Sequence, residues 1–472
     1  MLDTLRADIL KTYGGDVPFN SFGNMARRGV TYMNTISPGT YTVTSHVSLF
    51  TGKRVTKVEE LNKDNFKICD KRTDPFLEKS VFLKSGEMTL ARKMSYLGYN
   101  TALFSNNPFV SLSTGIGEGF SFVQNIFIDS KLIKNRHSVK AALGMVQNDA
   151  VRNNLIYTAY LISRMIPQGT LNRMYFNLRT KLNKHFSNEY GYNTMDKGAD
   201  YTNRLVGDYA KRVGNEGNFV FVNFMEAHEG YPTKAITDEY VEQDKWMYLS
   251  NALSSDNGTM GVIKEAYKRR VMYLDQKVGS LLSNLKKEGM LDDAVVVMAG
   301  DHGQAFMEHN VMYHNVFPYN EVVHVPLATA RFINGKQVRQ EEVVDKNVSL
   351  SALHDSILDI AYGRNDDIDG SLRRDNFVFS DHTGIGDVWD ARLLRLMRKR
   401  IKYADEIYKA KLHHNTFATA IYHKNYKLIH YRNSKMKDEL YDVKNDSEEL
   451  YNVIDKNRGI AREMLKQDAV SS

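Results

Sequence analysis

Residues 294–303 read Ala-Val-Val-Val-Met-Ala-Gly-Asp-His-Gly, and their reading decides the fold. A short Val-rich apolar run has the length and β-branching of a buried parallel strand. It ends abruptly in Asp301 and His302, two side chains able to bind a metal, followed by Gly303. In open α/β sheets, ligands bind beyond the carboxyl ends of such strands, so this pair is expected at the mouth of a site. One hard oxygen beside one imidazole nitrogen suits Zn²⁺, Mn²⁺ or Ca²⁺. The dipeptide alone is equally consistent with an ordinary strand-to-loop turn, and the rest of the chain has to decide.

Working outward, residues 218–225 (Asn-Phe-Val-Phe-Val-Asn-Phe-Met) give a second buried-strand pattern, which ends in Glu226-Ala227-His228. A long helix is expected over 260–288, directly before the Val-rich run. Toward the start, residues 21–33 read as helical until Ser37-Pro38-Gly39-Thr40 breaks the pattern. A helix is expected from Thr44, with Ser45 near its start as a cap. Residues 88–97 form an amphipathic pattern closed by Gly98, then comes a strand at 100–105 and the Asn106-Asn107-Pro108 turn. Between about 130 and 215 the chain reads as a mostly helical, basic insert. Strands alternating with helices predict a mainly parallel sheet sandwiched by helices. The composition turns polar around 363–376, which places a boundary there: a catalytic α/β domain over 1–370 and a smaller C-terminal subdomain over 371–472. Short strands at 377–380, 417–423 and 426–431, then Glu439-Leu440-Tyr441-Asp442 and a helix near 456–467, predict an antiparallel α+β subdomain.

Bulk properties narrow the function. With 42% hydrophobic and 25% charged residues among 472, a large globular core is affordable. A net charge of +7 suits an anionic substrate, and without an arginine-rich tail it gives no sign of nucleic-acid binding. The single cysteine, Cys69, excludes an intramolecular disulfide and fits a cytoplasmic setting. The apolar stretch from Leu155 to Ile166 contains Ser163 and Arg164 and falls short of the about 20 residues of a membrane span, so none is expected.

Chemistry-bearing residues recur at the same kind of place. They are Asp3 in Asp-Thr-Leu-Arg-Ala-Asp, Thr42 and His46 in Thr-Val-Thr-Ser-His, His228 after its strand, and His309 and His314 after the Asp-His pair. Asn107 could line the same pocket, whereas His324, inside a strand pattern, reads as structural.

Asp3-Thr4-Leu5-Arg6-Ala7-Asp8, then Thr42-Val43-Thr44-Ser45-His46-Val47-Ser48-Leu49-Phe50-Thr51-Gly52, then Asp301-His302-Gly303-Gln304 followed by Glu308-His309, resemble the motifs of the sulfatase family in their order. The wider alkaline-phosphatase-like superfamily shares them. Weaker similarity lies in Gly98–Phe104 with Gly117–Phe120, and in Lys424–Ile429 with Glu439–Asp442. The resemblance implies one divalent metal (Mn, Zn or Ca) bound by Asp3, Asp301 and His302, with Thr42 as nucleophile and further ligand. It also implies that His46 orients Thr42 or contacts an anionic oxygen, and that His228 and His314 contact the substrate. A bound cation would stabilise the alkoxide of a hydroxyl nucleophile and neutralise a tetrahedral sulfate or phosphate group.

The chain departs from the family at the nucleophile. Sulfatases carry Cys or Ser in Cys/Ser-x-Pro-Ser-Arg and convert it to formylglycine; here Thr42, Thr44 and His46 take the first, third and fifth places. Threonine resembles the phosphoryl-handling branch, whose phosphoethanolamine and phosphoglycerol transferases usually carry membrane spans. The leading expectation is a metal-dependent hydrolase of sulfate or phosphate esters acting through a covalent intermediate on Thr42. The alternative is a phospho-alcohol transferase acting on a glycan or lipid, and a third reading is an inactive binding protein that keeps the fold. In the family the first aspartate ends a central strand, so a strand is expected before Met1, either because the reading frame starts upstream or because the chain is a fragment.

Overall fold

The computed structural model describes residues 1–57, 83, 87–107, 109–125, 195–215, 217–229, 257–314, 317–366, 368, 372, 376–383, 416–432 and 435–471. Cys69, Leu155–Ile166 and most of the expected helical insert lie outside the described residues. The strands are β1 (Val30–Ile36), β2 (Asn100–Ser105), β3 (Phe122–Asn125), β4 (Asn218–Asn223), β5 (Asp293–Ala299), β6 (Ala305–Phe306), β7 (Met312–Tyr313), β8 (His324–Ile333), β9 (Lys336–Gln337), β10 (Glu342–Ser349), β11 (Val378–His382), β12 (Phe417–His423), β13 (Tyr426–Arg432) and β14 (Glu439–Asp442). The helices are α1 (Asn20–Arg28), α2 (Thr42–Thr51), α3 (Leu90–Tyr96), α4 (Ala199–Val213), α5 (Asn257–Lys287), α6 (Asn320–Val323), α7 (Leu353–Ala361) and α8 (Arg458–Ser471).

Two ladders, β10-β1-β8-β5 and β4-β2-β3, make up the large sheet. Leu2 joins them, bridging in parallel to Gly300 after β5 and to Phe224 after β4. Where a central strand is expected upstream of Asp3, the described ladder between β5 and β4 is made by Met1 to Asp3. The Leu2 amide donates to Ala299 O at 2.8 Å, and the Asp3 amide donates to Phe224 O at 2.9 Å. The sheet is mixed: β1 with β10 and β2 with β3 and β4 pair in parallel, whereas β8 runs antiparallel to β1, β5 and β9, so it is less parallel than expected. The Val-rich run differs in detail: β5 runs antiparallel to β8 over its whole length, from Asp293↔Ile333 to Ala299↔Leu327, and is parallel only toward Leu2.

Side chains alternate across the sheet, which gives each face its own core. Ala102 and Phe104 of β2 and Ala328 and Ala330 of β8 pack with Phe22 and Met25 of α1, Val206 of α4 and Leu274 of α5. On the other face, Leu103 meets Val43, Val47 and Phe50 of α2 and Met94 of α3, and Leu327 meets Leu49 and Leu353. The expected layering of helix, sheet and helix is present.

Residues 29–33 correct the helical reading of 21–33. Helix α1 stops at Arg28 because Gly29 is extended (φ −107°, ψ −142°), and the β-branched Val30-Thr31 that follows enters β1. A Cβ at position 29 would lie 2.1 Å from Thr329 O, so glycine allows the helix end to approach β8 this closely.

The C-terminal sheet, β11-β12-β13-β14, is antiparallel throughout. One face packs Ile421, Leu428 and Leu440 on Ala461 and Met464 of α8. The other packs Ala418, Ala420 and Ile429 on Phe317, Tyr319 and Val322, which lie just beyond the Asp301-His302 loop. A buried ion pair at 2.5 Å, Lys427 with Glu449, reinforces this contact. The Glu449 carboxylate also accepts the Asn320 amide at 2.9 Å.

Candidate active site

Helix α2 is buried along all of its residues, which fixes Thr42 at its first turn. The tight turn before it depends on Gly39, where a Cβ would fall 2.0 Å from Thr44 Oγ1. Asp301 follows β5, and Asp3 follows the Leu2 bridge. Three stretches remote in sequence therefore converge beyond the carboxyl ends of β1, β5 and the Leu2 bridge, as strand-end binding predicts.

Asp3, Asp301 and His302 are fully buried and Thr42 nearly so. His302 Nε2 lies 3.7 Å from Asp3 Oδ1, 3.5 Å from Asp301 Oδ2 and 3.3 Å from Thr42 Oγ1. His302 Nδ1 donates to Gly303 O at 2.9 Å, which turns the Nε2 lone pair toward the carboxylates. Asp301 Oδ1 accepts the amides of Thr4 (3.1 Å) and His302 (2.8 Å), whereas Asp301 Oδ2 and Asp3 Oδ1 are buried with no hydrogen-bond partner. Thr4 reaches its place with a left-handed backbone, φ 58°. Burial, then the neighbouring Asp301 carboxylate, pushes the Asp3 carboxyl up to about 6. Burial pushes Asp301 up to about 7 against the pull of its two amide donors. Two orphaned carboxylate oxygens beside an imidazole lone pair form a cluster of acceptors, which a small divalent cation would satisfy. The donor set of two carboxylates, one imidazole and one hydroxyl fits Zn²⁺ or Mn²⁺ and, with added water, Ca²⁺.

Asn107 takes a central part that the sequence marked only weakly. Its Nδ2 donates to Asp3 Oδ2 at 2.6 Å and to Thr42 Oγ1 at 3.2 Å, so it fixes the Thr42 hydroxyl relative to the carboxylate pair. His46 Nδ1 donates to Thr42 O at 2.9 Å, and burial lowers its pKa to about 3. A neutral ring with Nδ1 occupied leaves Nε2 as an acceptor, so His46 braces the first turn of α2 and differs from an arginine in having no charge to offer an anion. Ser45 is no helix cap, because its hydroxyl donates to Asp301 O at 2.7 Å. Ser37 Oγ reaches the same carbonyl at 2.5 Å.

His228 and His314 meet beside this cavity. Their rings are 4.9 Å apart, and the His314 ring lies 4.7 Å from that of His302. Glu229, Gln304 and Lys197 surround them; Gln304 closes the Asp-His-Gly-Gln motif, whereas Glu229 and Lys197 carried no signal in the sequence. Lys197 Nζ donates to the carbonyls of His228 and Glu229, both at 2.6 Å, and burial lowers its pKa to about 7. Together, His228, Glu229 and His314 form a second group whose ligand atoms could hold a metal. His309 stays out of the site. It stacks on Tyr319 at 3.9 Å and bonds Glu321 and Glu449 O, and this anchors the loop after Asp301. His324 bonds Met33 O at 2.8 Å, in keeping with its structural reading. Arg6 of the first motif bonds Gln304 O (2.9 Å) and Glu308 (3.0 Å), so the first and last motifs are tied together by a buried guanidinium.

The sulfatase family model matches residues 1–363. The chain belongs to the sulfatase family. A phosphonate monoester hydrolase of Agrobacterium radiobacter has the same fold at TM-score 0.62 and 15% identity, covering 100% of this chain and 95% of that one. Another, from Silicibacter pomeroyi, gives 0.59 at 14% identity over 100% and 94%. A protein solved with its substrate D-glucosamine-2-N,6-O-disulfate gives 0.59 at 14% identity over 99% and 95%. No curated protein sequence matches the chain. This sulfatase-family chain is an ester-bond hydrolase with an alkaline-phosphatase-like fold. Among its described residues, no helix is long and apolar enough to cross a membrane.

Proposed function

We propose that this sulfatase-family protein hydrolyses a sulfate or phosphate ester through a covalent intermediate on Thr42, with one divalent cation held by Asp3, Asp301, His302 and the Thr42 oxygen. The observation that carries the reading is Thr42 Oγ1, 3.3 Å from His302 Nε2 and held by Asn107 beside two partnerless carboxylate oxygens. The cation, when bound, supplies the positive charge that favours the Thr42 alkoxide and offsets charge on the tetrahedral group.

The chain's own residues do the rest. Asn107 and the buried first turn of α2 orient Oγ1, and the helix N-terminus favours negative charge there. Oγ1 bonds to phosphorus or sulfur as the ester oxygen departs with a proton from an imidazole of the His228 and His314 pair. Water then attacks the threonyl ester, gives one proton to that imidazole and displaces the Thr42 alkoxide, so that both groups return to their starting state. Threonine is no precursor of formylglycine, and this favours phosphoryl over sulfuryl substrates. It equally favours a second reading, in which an acceptor alcohol on a glycan or lipid replaces the water. The disulfated glucosamine bound by one structural neighbour supports a glycan-borne anionic ester as the substrate class.

The test is a panel of aryl sulfate, phosphate monoester, phosphodiester and phosphonate monoester, after EDTA treatment and reloading with Mn²⁺, Zn²⁺ or Ca²⁺. Phosphoryl substrates are expected to lead, with Thr42→Ala inactive. Full activity in Thr42→Ala would remove the nucleophile, and a wide lead for aryl sulfate would remove the phosphoryl preference. Capture of the phosphoryl group on added glycerol would favour transfer over hydrolysis.

A further inference from the structure

Glu229 is the point on which three donors from two parts of the chain converge. Its Oε2 lies 2.9 Å from His228 Nδ1, 3.5 Å from His314 Nδ1 and 3.4 Å from Gln304 Nε2. His314 Nδ1 is also 2.9 Å from Gln304 Oε1. His228 follows β4, whereas Gln304 and His314 belong to the loop after β5. The carboxylate therefore joins the two segments that carry the substrate-facing imidazoles. With Nδ1 of each ring facing Glu229, Nε2 of each lies on the opposite ring edge. A carboxylate behind an imidazole fixes both its tautomer and its orientation.

We propose that Glu229 is a positioning residue that holds His228 and His314 with Nδ1 protonated and Nε2 presented to the scissile ester, adapting the site to esters whose alcohol is a poor leaving group. The proposal rests on the covalent reading of Thr42. Proton donation matters most when the departing alkoxide is basic. A nitrophenolate leaves without it, but a phenolate or alkoxide does not. Burial lowers the His228 pKa, but the charge and hydrogen bond of Glu229 with the charge of Asp3 together raise it; burial keeps His314 a neutral ring, and Glu229 is held below the usual carboxylate range by the two histidines although burial opposes this. These directions agree with the geometry.

The experiment uses the full chain loaded with Mn²⁺, as wild type, Glu229→Gln and Glu229→Ala, assayed on p-nitrophenyl phosphate and phenyl phosphate. In Glu229→Ala, kcat on the phenyl ester should fall about 100-fold or more, against less than about fivefold on the nitrophenyl ester, with both KM values within about twofold. Glu229→Gln keeps one acceptor oxygen and should fall between. Nitrogen NMR on labelled histidine should show His228 and His314 protonated at Nδ1 in wild type, and mixed tautomers in Glu229→Ala. Equal losses on both esters would overturn the proposal. So would two equivalents of bound metal in wild type falling to one in Glu229→Ala, because Glu229 would then be a metal ligand. An active Thr42→Ala would remove the covalent reading alone, since the ratio between the two esters in the Glu229 variants is still measured.

Discussion

Ser45 and Asp301 are joined by one buried hydrogen bond, the Ser45 hydroxyl donating to the Asp301 carbonyl at 2.7 Å across 256 positions of chain. It ties the helix of the nucleophile to the loop of the metal ligands, so their spacing does not depend on sheet packing alone. Ser45→Ala should cost about 1 kcal/mol in denaturant unfolding, the usual worth of such a bond. Because it shifts Thr42 relative to Asp301, kcat should fall about tenfold or more with KM little changed. A stability loss with unchanged kcat would show that the tie serves folding only.

Asp301→Asn separates the cost of the carboxylate from its use. The substitution removes a buried charge, so in EDTA the variant should melt at or above the temperature of wild type. Metal content by elemental analysis should fall from about one equivalent per chain to near none, with activity lost. A variant that retains its metal would show that Asp301 is no ligand.

The pH dependence of the metal-free protein follows from the same carboxyls. Asp3 and Asp301 have folded pKa values of about 6 and about 7, above their ordinary 3.8. The folded state thus binds protons more tightly than the unfolded state, and this contribution, complete below about pH 4, is lost as pH rises through 6 to 7. A cation replaces those protons, so its stabilising effect should grow over the same range. Scanning calorimetry should give a larger Mn²⁺-induced rise in Tm at pH 8 than at pH 5. A larger rise at pH 5 would contradict the assignment.

Gly303 is held by contact and not by an unusual backbone: a Cβ there would meet Glu321 O at 2.1 Å. The obstacle is main chain, which cannot swing aside. Gly303→Ala should therefore destabilise by about 3 kcal/mol and displace His302, with loss of metal binding in titration calorimetry. Near-wild-type stability and affinity would show that the loop yields.

Lys427 and Glu449 test the seat of the C-terminal sheet. Lys427→Met leaves a buried carboxylate without its partner and should cost about 3–5 kcal/mol, largely recovered in Lys427→Met with Glu449→Gln. If the double substitution is no better than the single one, the ion pair itself is what holds the sheet.

Much of the fold and site was legible in the sequence because strand ends announce themselves. The apolar runs at 218–225 and 294–299, each closed by polar residues, led to His228, Asp301 and His302, and all of these lie together. Asp3 and Thr42 were reached through the motif resemblance, and periodicity alone would have missed them. The reading of 29–33 as helix failed because Gly29 ends α1 through its approach to β8, a tertiary fact with no local signature. Glu229 and Lys197 were hidden, and the central part of Asn107 was only weakly marked, for a related reason. Their roles are set by which atoms face them across the fold, and a glutamate after a histidine looks the same in sequence whether it clamps a ring or faces solvent. The orientation of β5 was hidden too, since a Val-rich strand reads alike beside a parallel or an antiparallel neighbour.

The His309 anchor reaches across the boundary that composition suggests. On the loop that continues to His314, its Nε2 meets Glu449 O at 3.2 Å, while its Nδ1 holds Glu321 of α6 at 2.9 Å. A shortened chain ending where the family match ends, at residue 363, would include every residue assigned to chemistry. It would nevertheless lose the scaffold that keeps the far side of the pocket in shape. Engineering that grafts or trims this enzyme by motif would deliver a complete parts list and an idle machine.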